Sequence, residues 1–316
     1  MNQIITITGD VGSGKSTVGK LLAAAIGYEH LSTGAMQREI AASRGMTTLE
    51  LNEASMHDRQ VDDSIDSYLQ QLNGQGRRLV LDSRMAWHFL HSALKVLVTV
   101  DPVVGARRVL SAQRTEESHR GLADAVRNNL RRKALEDERF ASLYGVRCGA
   151  MANFDVVLDS TCLTPERMAK ILLEALGRNE AQPSRPMGYI CPKSLYPTRP
   201  ASEAAGPPTE ELLEYMAAEG YDMRWPIEAV RFSHYFFVHD GHKRASCAVR
   251  LGLDCVPCIL READETAADG LELGRVVTES LKQPWIGEWE SAHGFKYPSC
   301  PDFSGSPRLD DCDKDG

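Results

Sequence analysis

Short β-branched runs alternate with stretches of helical periodicity from residue 1 to about 178. The apolar runs at 4–8, 79–81, 96–100 and 155–158 read as strands. Between them the pattern predicts helices over 14–25, 34–44, 49–53, 62–72, 103–114, 121–143 and 165–176. Strand and helix in alternation predict an α/β fold, a parallel sheet with helices on both faces. Ligands of such sheets sit beyond the carboxyl ends of the strands.

The rhythm then changes. Residues 179–185 are polar and lead into Pro186, as a linker would. Beyond them the pattern predicts a strand at 187–191, a helix at 209–219 with Thr209 as N-cap, a strand at 235–239, a helix at 242–251 and a strand at 256–260. This is a smaller α+β unit over 186–262. The extension from 263 to 316 is partly helical over 265–281, then rich in Trp, Gly and Pro, and ends in an acidic tail from Asp310 to Asp315. No internal repeat is present.

One stretch carries specific chemistry. Gly9-Asp10-Val11-Gly12-Ser13-Gly14-Lys15-Ser16-Thr17 fits G-x-x-x-x-G-K-[ST] and lies between a predicted strand and a predicted helix. Small residues let successive N–H groups curl around a phosphate, and the helix N-terminus adds partial positive charge. Lys15 would reach the β- and γ-phosphates, and the Ser16 hydroxyl would hold Mg²⁺. The expected ligands are ATP and Mg²⁺, with Gly9, Gly12, Ser13, Gly14, Lys15, Ser16 and Thr17 around the nucleotide.

The phosphate acceptor must be read elsewhere. Ser32-Thr33-Gly34 opens a helix that carries Arg38, a turn and a cation suited to a phosphate-bearing acceptor. Leu81-Asp82-Ser83-Arg84 follows a strand: Asp82 could order Mg²⁺ through water, and Arg84 could clamp an anion. Arg107, Arg108, Arg114, Arg120, Arg127, Arg131, Arg132 and Arg139 crowd one helical region, with Glu116, Glu117, Asp124, Glu136, Asp137 and Glu138 among them. A solvated face of i,i+4 pairs accounts for about half of these. The rest suit a lid whose arginines close over a transferring phosphoryl group.

Composition narrows the classes. A net charge of −8 argues against a surface that coats nucleic acid. No apolar run approaches the ~20 residues that cross a bilayer, and the chain opens into a strand with no secretion-signal pattern, so a cytoplasmic protein is expected. The eight cysteines are then expected as free thiols. Cys255-Val256-Pro257-Cys258 has C-x-x-C spacing but no partner pair for a zinc site.

Residues 1 to about 177 resemble the archaeal-type cytidylate kinases of the nucleoside monophosphate kinase group. The resemblance rests on Gly9 to Thr17, on Gly27-Tyr28 and Leu31-Ser32-Thr33-Gly34 with Arg38-Glu39, and on Arg44-Gly45-Met46. It continues in Asp82-Ser83-Arg84-Met85-Ala86-Trp87, Val100-Asp101-Pro102, Arg139-Phe140 with Leu143-Tyr144-Gly145-Val146, and Asp155 to Thr161. It implies transfer of the γ-phosphoryl of ATP to CMP or dCMP. Ser32, Arg38 and Arg84 would hold the acceptor, and Arg114, Arg132 and Arg139 would act from the lid, with Lys15, Arg132 and Arg139 catalytic and Arg114 on the nucleotide. Two departures bear on the acceptor base and leave a modified pyrimidine nucleotide open as the acceptor. Asp82-Ser83-Arg84 stands where the family has Glu-Gly-Arg, and Lys133-Ala134 where it has acidic residues.

The later unit resembles the ParB/sulfiredoxin-like fold through Ile190, Pro192, Leu195, Pro197 and Arg199, through Trp225-Pro226-Ile227, and through Asp240-Gly241-His242 with Arg244. That turn at a helix start is an anion site in physical terms. Asp240, Gly241, His242 and Arg244 form a second expected site, with Asp240 as metal ligand or base and His242 as proton carrier. The sequence-level reading is a nucleotide kinase fused to this module. The alternatives are a kinase of a non-nucleotide metabolite and a nucleotide-switched binding protein.

Overall fold

A computed structural model of the chain describes residues 4–47, 50–51, 60–73, 75–112, 121–177, 186–267 and 270–308. Two compact units are present: Met1–Asp155 with Thr164–Gln182, and Val156–Leu163 with Pro183–Gly316. Arg114, Arg120, the linker at 179–185, the acidic tail and most of the helix expected at 49–53 lie outside the described residues.

The first unit is α/β. Its strands are β1 (Ile4–Gly9), β2 (Glu29–Ser32), β3 (Leu79–Asp82) and β4 (Leu94–Thr99). They run parallel in the order β2-β3-β1-β4, with Ile7 beside Asp82 and Gly9 beside Val98. Ile5, Ile7, Leu79, Leu81, Val96 and Val98 are fully buried. The hydrophobic pattern gives no strand at β2, because this edge strand is only half-buried and carries no continuous apolar run.

The helices are α1 (Lys15–Ile26), α2 (Thr33–Ser43), α3 (Gln60–Gln71), the short α4 (Ala86–Phe89), α5 (Pro102–Ser111), α6 (Leu122–Tyr144) and α7 (Pro165–Gly177). Ser32 caps α2 by accepting the Ala35 N–H, and Asp101 caps α5 by accepting from Val103 and Val104, with Pro102 at the first position. Ile65 and Leu69 of α3, with Leu72 just beyond it, pack on Leu79, Leu81 and Leu90. The carboxyl ends of β1 and β3 thus open onto the starts of α1 and α2.

The second unit holds β5 (Val156–Asp159), β6 (Met187–Ile190), β7 (Leu195–Tyr196), β8 (Ile227–Phe232), β9 (Tyr235–Asp240) and β10 (Val256–Glu262) in the order β5-β6-β10-β8-β9-β7. Pairing is mixed: β5 with β6, β10 with β8 and β7 with β9 are parallel, while β6 with β10 and β8 with β9 are antiparallel. Helices α8 (Pro207–Glu219), α9 (His242–Arg250), α10 (Leu273–Ser280) and α11 (Trp285–His293) complete it. Thr209 is not the cap of α8: Gly206 is, because Pro207 and Pro208 start the helix two residues earlier, and Thr209 is buried within its first turn.

Two further expectations are corrected. The segment read as an extension is packed into this unit: buried Trp289 donates to the Arg199 carbonyl, and the Tyr297 hydroxyl to the Leu195 carbonyl. Cysteines 162 and 191 are not free thiols but a disulfide, their Cα atoms 6.0 Å apart, because the ends of β5 and β6 bring them side by side. Cys258 of the C-x-x-C pair is buried in β10, where burial pushes its thiol up.

Candidate active site

The stretch from Gly9 to Ser16 runs from the end of β1 through a loop into the first turn of α1, and its glycines are required by geometry. Gly12 and Gly14 hold φ of +78° and +79°, the left-handed region. A Cβ on Gly9 would lie 2.2 Å from the Val98 carbonyl oxygen, and one on Gly12 would lie 2.2 Å from that of Gly105 in α5. Gly105 answers in kind, since its own Cβ would sit 2.8 Å from the Val11 carbonyl oxygen. The loop therefore rests backbone-to-backbone on α5.

This loop fits a polyphosphate. The first turn of α1 has no side-chain cap. Among the described residues the N–H groups of Gly14, Lys15 and Ser16 meet no acceptor, and the buried Ser13 hydroxyl has no partner. These are donors in a concave backbone, the arrangement that takes phosphate oxygens. Thr17 is exposed and its N–H returns to the Gly14 carbonyl, 3.0 Å away.

Lys15 lies 3.5 Å from the Asp10 carbonyl oxygen. Burial and the nearby Arg84 draw its ammonium down to about 8, with Asp82 opposing. The Ser16 hydroxyl donates to buried Asp82, and the Ser32 hydroxyl donates to the same Asp82 oxygen at 3.2 Å. Ser16 and Asp82 are hard oxygen donors beside the loop, a set that fits Mg²⁺.

Arg84 follows β3 and donates to the Gly9 carbonyl. Its Nε meets Glu136 at 3.0 Å, and Arg132 Nε meets the other Glu136 oxygen at 3.1 Å. Burial disfavours the Glu136 carboxylate, but Arg84 and Arg132 overcome that and hold its pKa at about 2. Arg139 is buried, its guanidinium 4.7 Å from the centre of the Phe140 ring. Arg38 is half-buried in α2 without an ion-pair partner among the described residues. Arg108 reaches toward the Gly12 carbonyl at 3.5 Å.

Lys15, Ser16, Asp82, Arg84 and Arg132 thus come together, while Arg38 lies on the neighbouring helix. Two residues were invisible as site residues in the sequence. Glu136 reads as one acid of a solvated helix face, yet it is 5% exposed and joins two arginines. Lys133 reads as a departure from a family pattern, yet it pairs with Asp10 inside the phosphate loop. The i,i+4 spacing of Arg132 and Glu136 was the available signal, but it does not tell an inward pair from a solvated one.

In the second unit Gly241, at φ +97°, begins α9. Asp240, Gly241, His242 and Arg244 line a cavity of about 410 Å³ with Arg199, Lys243 and an apolar wall that includes Tyr215, Tyr221 and Trp225. One of the expected roles changes here. His242 turns inward, where the Thr198 N–H donates to its Nε2 at 3.2 Å, and burial lowers its pKa to about 4, so it is a neutral acceptor rather than a proton carrier. Arg244 donates to the carbonyls of Trp225 and Pro226 at 2.7 and 2.8 Å and to Asp240 at 2.6 Å, so much of its donor capacity holds the cavity wall.

No helix among the described residues is long and apolar enough to cross a membrane. A family model described as an AAA domain matches residues 5–135. A cytidylate kinase of Haloarcula marismortui is 31% identical over 175 residues, 55% of this chain and 88% of that protein. An S-adenosylmethionine-dependent nucleotide dehydratase of Lacinutrix mariniflava is 31% identical over 182 residues, 57% of this chain and 37% of that protein. Among solved structures, a shikimate kinase from Acinetobacter baumannii is 16% identical, covers 56% of this chain and 94% of its own, and superposes with a TM-score of 0.40.

Proposed function

The chain belongs to the cytidylate kinase family through its first unit, and from that premise we propose that it transfers the γ-phosphoryl group of ATP to a pyrimidine nucleoside monophosphate, CMP or dCMP first. The observation that carries this reading is the convergence of Lys15, Arg84 and Arg132 on a phosphate loop whose Gly14, Lys15 and Ser16 N–H groups meet no acceptor among the described residues. Phosphoryl transfer asks the protein for alignment and for stabilisation of charge on the equatorial oxygens. The loop N–H groups and Lys15 bind the donor phosphates. Arg84 faces the loop from the end of β3, while Ser32 and Arg38 offer the acceptor side a hydroxyl and a cation. Arg132 and Arg139 supply positive charge from α6. Ser16 and Asp82 would hold Mg²⁺, which when bound neutralises phosphate charge.

The second unit is proposed to be a ParB/sulfiredoxin-like domain with its own site for a nucleotide or phosphate. The support is the aromatic-walled cavity at the start of α9. Aromatic rings offer a stacking surface for a base, and Lys243, Arg199 and the helix start favour an anion.

The test is a coupled assay over all ribo- and deoxynucleoside monophosphates, with Lys15→Ala as control. CMP or dCMP should be preferred, and folded Lys15→Ala should lose several powers of ten in turnover. A chain that phosphorylates no nucleotide but accepts a non-nucleotide alcohol is a metabolite kinase. One that binds ATP and transfers to nothing is a nucleotide-switched binding protein.

A further inference from the structure

Glu136 lies one helical turn beyond Arg132 on α6 and faces the interior. Its two oxygens are divided between two elements. Arg84, from the end of β3, takes one at 3.0 Å, and Arg132, from α6, takes the other at 3.1 Å. Arg84 also donates to the carbonyl of Gly9, the first residue of the phosphate loop. One buried carboxylate therefore ties the lid helix, the end of β3 and the loop together.

The charge arithmetic favours a purpose beyond cohesion. Two half-buried guanidinium groups that share one carboxylate repel each other, and the carboxylate between them relieves that while leaving a net positive charge. Both contacts are made through Nε, and Arg84 uses a further donor on the Gly9 carbonyl. A buried ion pair is often no more stabilising than a well-packed apolar group, so stability alone gives weak reason for the triad. Fixed orientation is a stronger one, because cations that stabilise a transferring phosphoryl group act only from the right place.

We propose that Glu136 is a positioning residue, which holds the guanidinium groups of Arg84 and Arg132 in one arrangement beside the phosphate loop. The proposal rests on the phosphoryl-transfer reading for the step that it serves.

The test uses the full chain. Glu136→Gln keeps size and hydrogen bonding but removes the charge, and Glu136→Asp keeps the charge but shortens the reach. Arginine side-chain NMR follows the Nε–H signals of Arg84 and Arg132, assigned with Arg84→Lys and Arg132→Lys. Turnover and ATP affinity are measured on the same samples. In Glu136→Gln both signals should move toward the position of solvent-exposed arginine, and kcat should fall about 100-fold. ATP affinity should change less than about threefold, since the loop is intact. Glu136→Asp should recover part of both the signals and kcat.

Unmoved signals in Glu136→Gln overturn the proposal, and so do moved signals with unchanged kcat. If Glu136→Gln fails to fold, Glu136→Asp carries the test alone, and wild-type signals and turnover there overturn it. A wild-type chain that phosphorylates no nucleotide sinks the phosphoryl-transfer reading instead, while the Nε–H signals still decide whether Glu136 holds the two arginines.

Discussion

Lys133, one residue beyond Arg132 on α6, ion-pairs with Asp10 inside the phosphate loop. The Asp10 carboxylate also accepts the Val100 N–H at 3.3 Å, so the acid is anchored on both sides. A carboxylate in a loop that receives phosphates is an electrostatic liability unless a cation offsets it.

That relationship predicts a charge effect with a rescue. Lys133→Ala takes the paired cation from Asp10 and leaves Arg84 as a more distant positive charge beside the incoming phosphates, and ATP affinity should fall about tenfold, the effect of ~1.4 kcal/mol. Adding Asp10→Asn removes the repulsion and should recover most of that loss. ATP titration of both variants at low ionic strength checks it, because screening weakens the effect at high salt. Equal affinities in the single and double variants would show that Lys133 acts by packing alone.

How much of this was legible beforehand follows from what each feature depends on. The phosphate loop is local: its glycines, lysine and serine are neighbours in sequence, and their spacing alone specifies the turn. Buried strands such as β1 and β4 announce themselves as apolar runs. Strands with partly covered positions do not, and β2 and β8 gave no such run. The Glu136 triad and the Lys133–Asp10 pair join residues far apart in the chain. Whether an acid on a charged helix faces water or the interior is decided by how the helix lies on the sheet, and periodicity in so polar a helix carries little of that information. The second unit shows the same limit, since β5 belongs with strands that begin some 30 residues later in sequence, a pairing that only the fold reveals.

Gly105 offers a prediction in which two effects of opposite sign compete. In an ordinary helix interior, Gly→Ala stabilises by up to ~1 kcal/mol. Here the added Cβ would meet the Val11 carbonyl oxygen at 2.8 Å and a Val100 methyl at 2.9 Å, and the first of these is backbone. Overpacking of this kind costs about 1–3 kcal/mol, so the clash should win. Gly105→Ala should lower the thermal midpoint of the first unit and weaken ATP binding by displacing the loop. Calorimetry with and without ATP checks both. A stabilised variant with normal ATP affinity would mean that loop and helix can separate freely at that point.

The second unit should carry a pH dependence written by one imidazole. His242 is neutral in the folded chain, its pKa lowered to about 4 by burial and by nearby Arg199, against Asp240. In the unfolded chain it titrates near its ordinary value of about 6.5. Above that pH both states are neutral and His242 contributes nothing to the slope. As pH falls below it, the unfolded chain takes up a proton that the folded chain refuses, so stability falls with pH until the folded imidazole titrates near 4. The full loss is on the order of 3 kcal/mol, and much of it should appear between about pH 6.5 and 5, above the range where carboxylates dominate. His242→Gln retains an acceptor for the Thr198 N–H but cannot titrate. It should be less stable than the wild type at pH 7.5 yet flatter in this window, because its buried side chain has no proton to gain. Urea midpoints read from Trp289, whose ring centre lies 6.2 Å from that of His242, in a background with Trp87, Trp225 and Trp285 replaced by Phe provide the measurement. Parallel wild-type and His242→Gln curves would place the acid sensitivity elsewhere in the unit and leave His242 as a packing residue only.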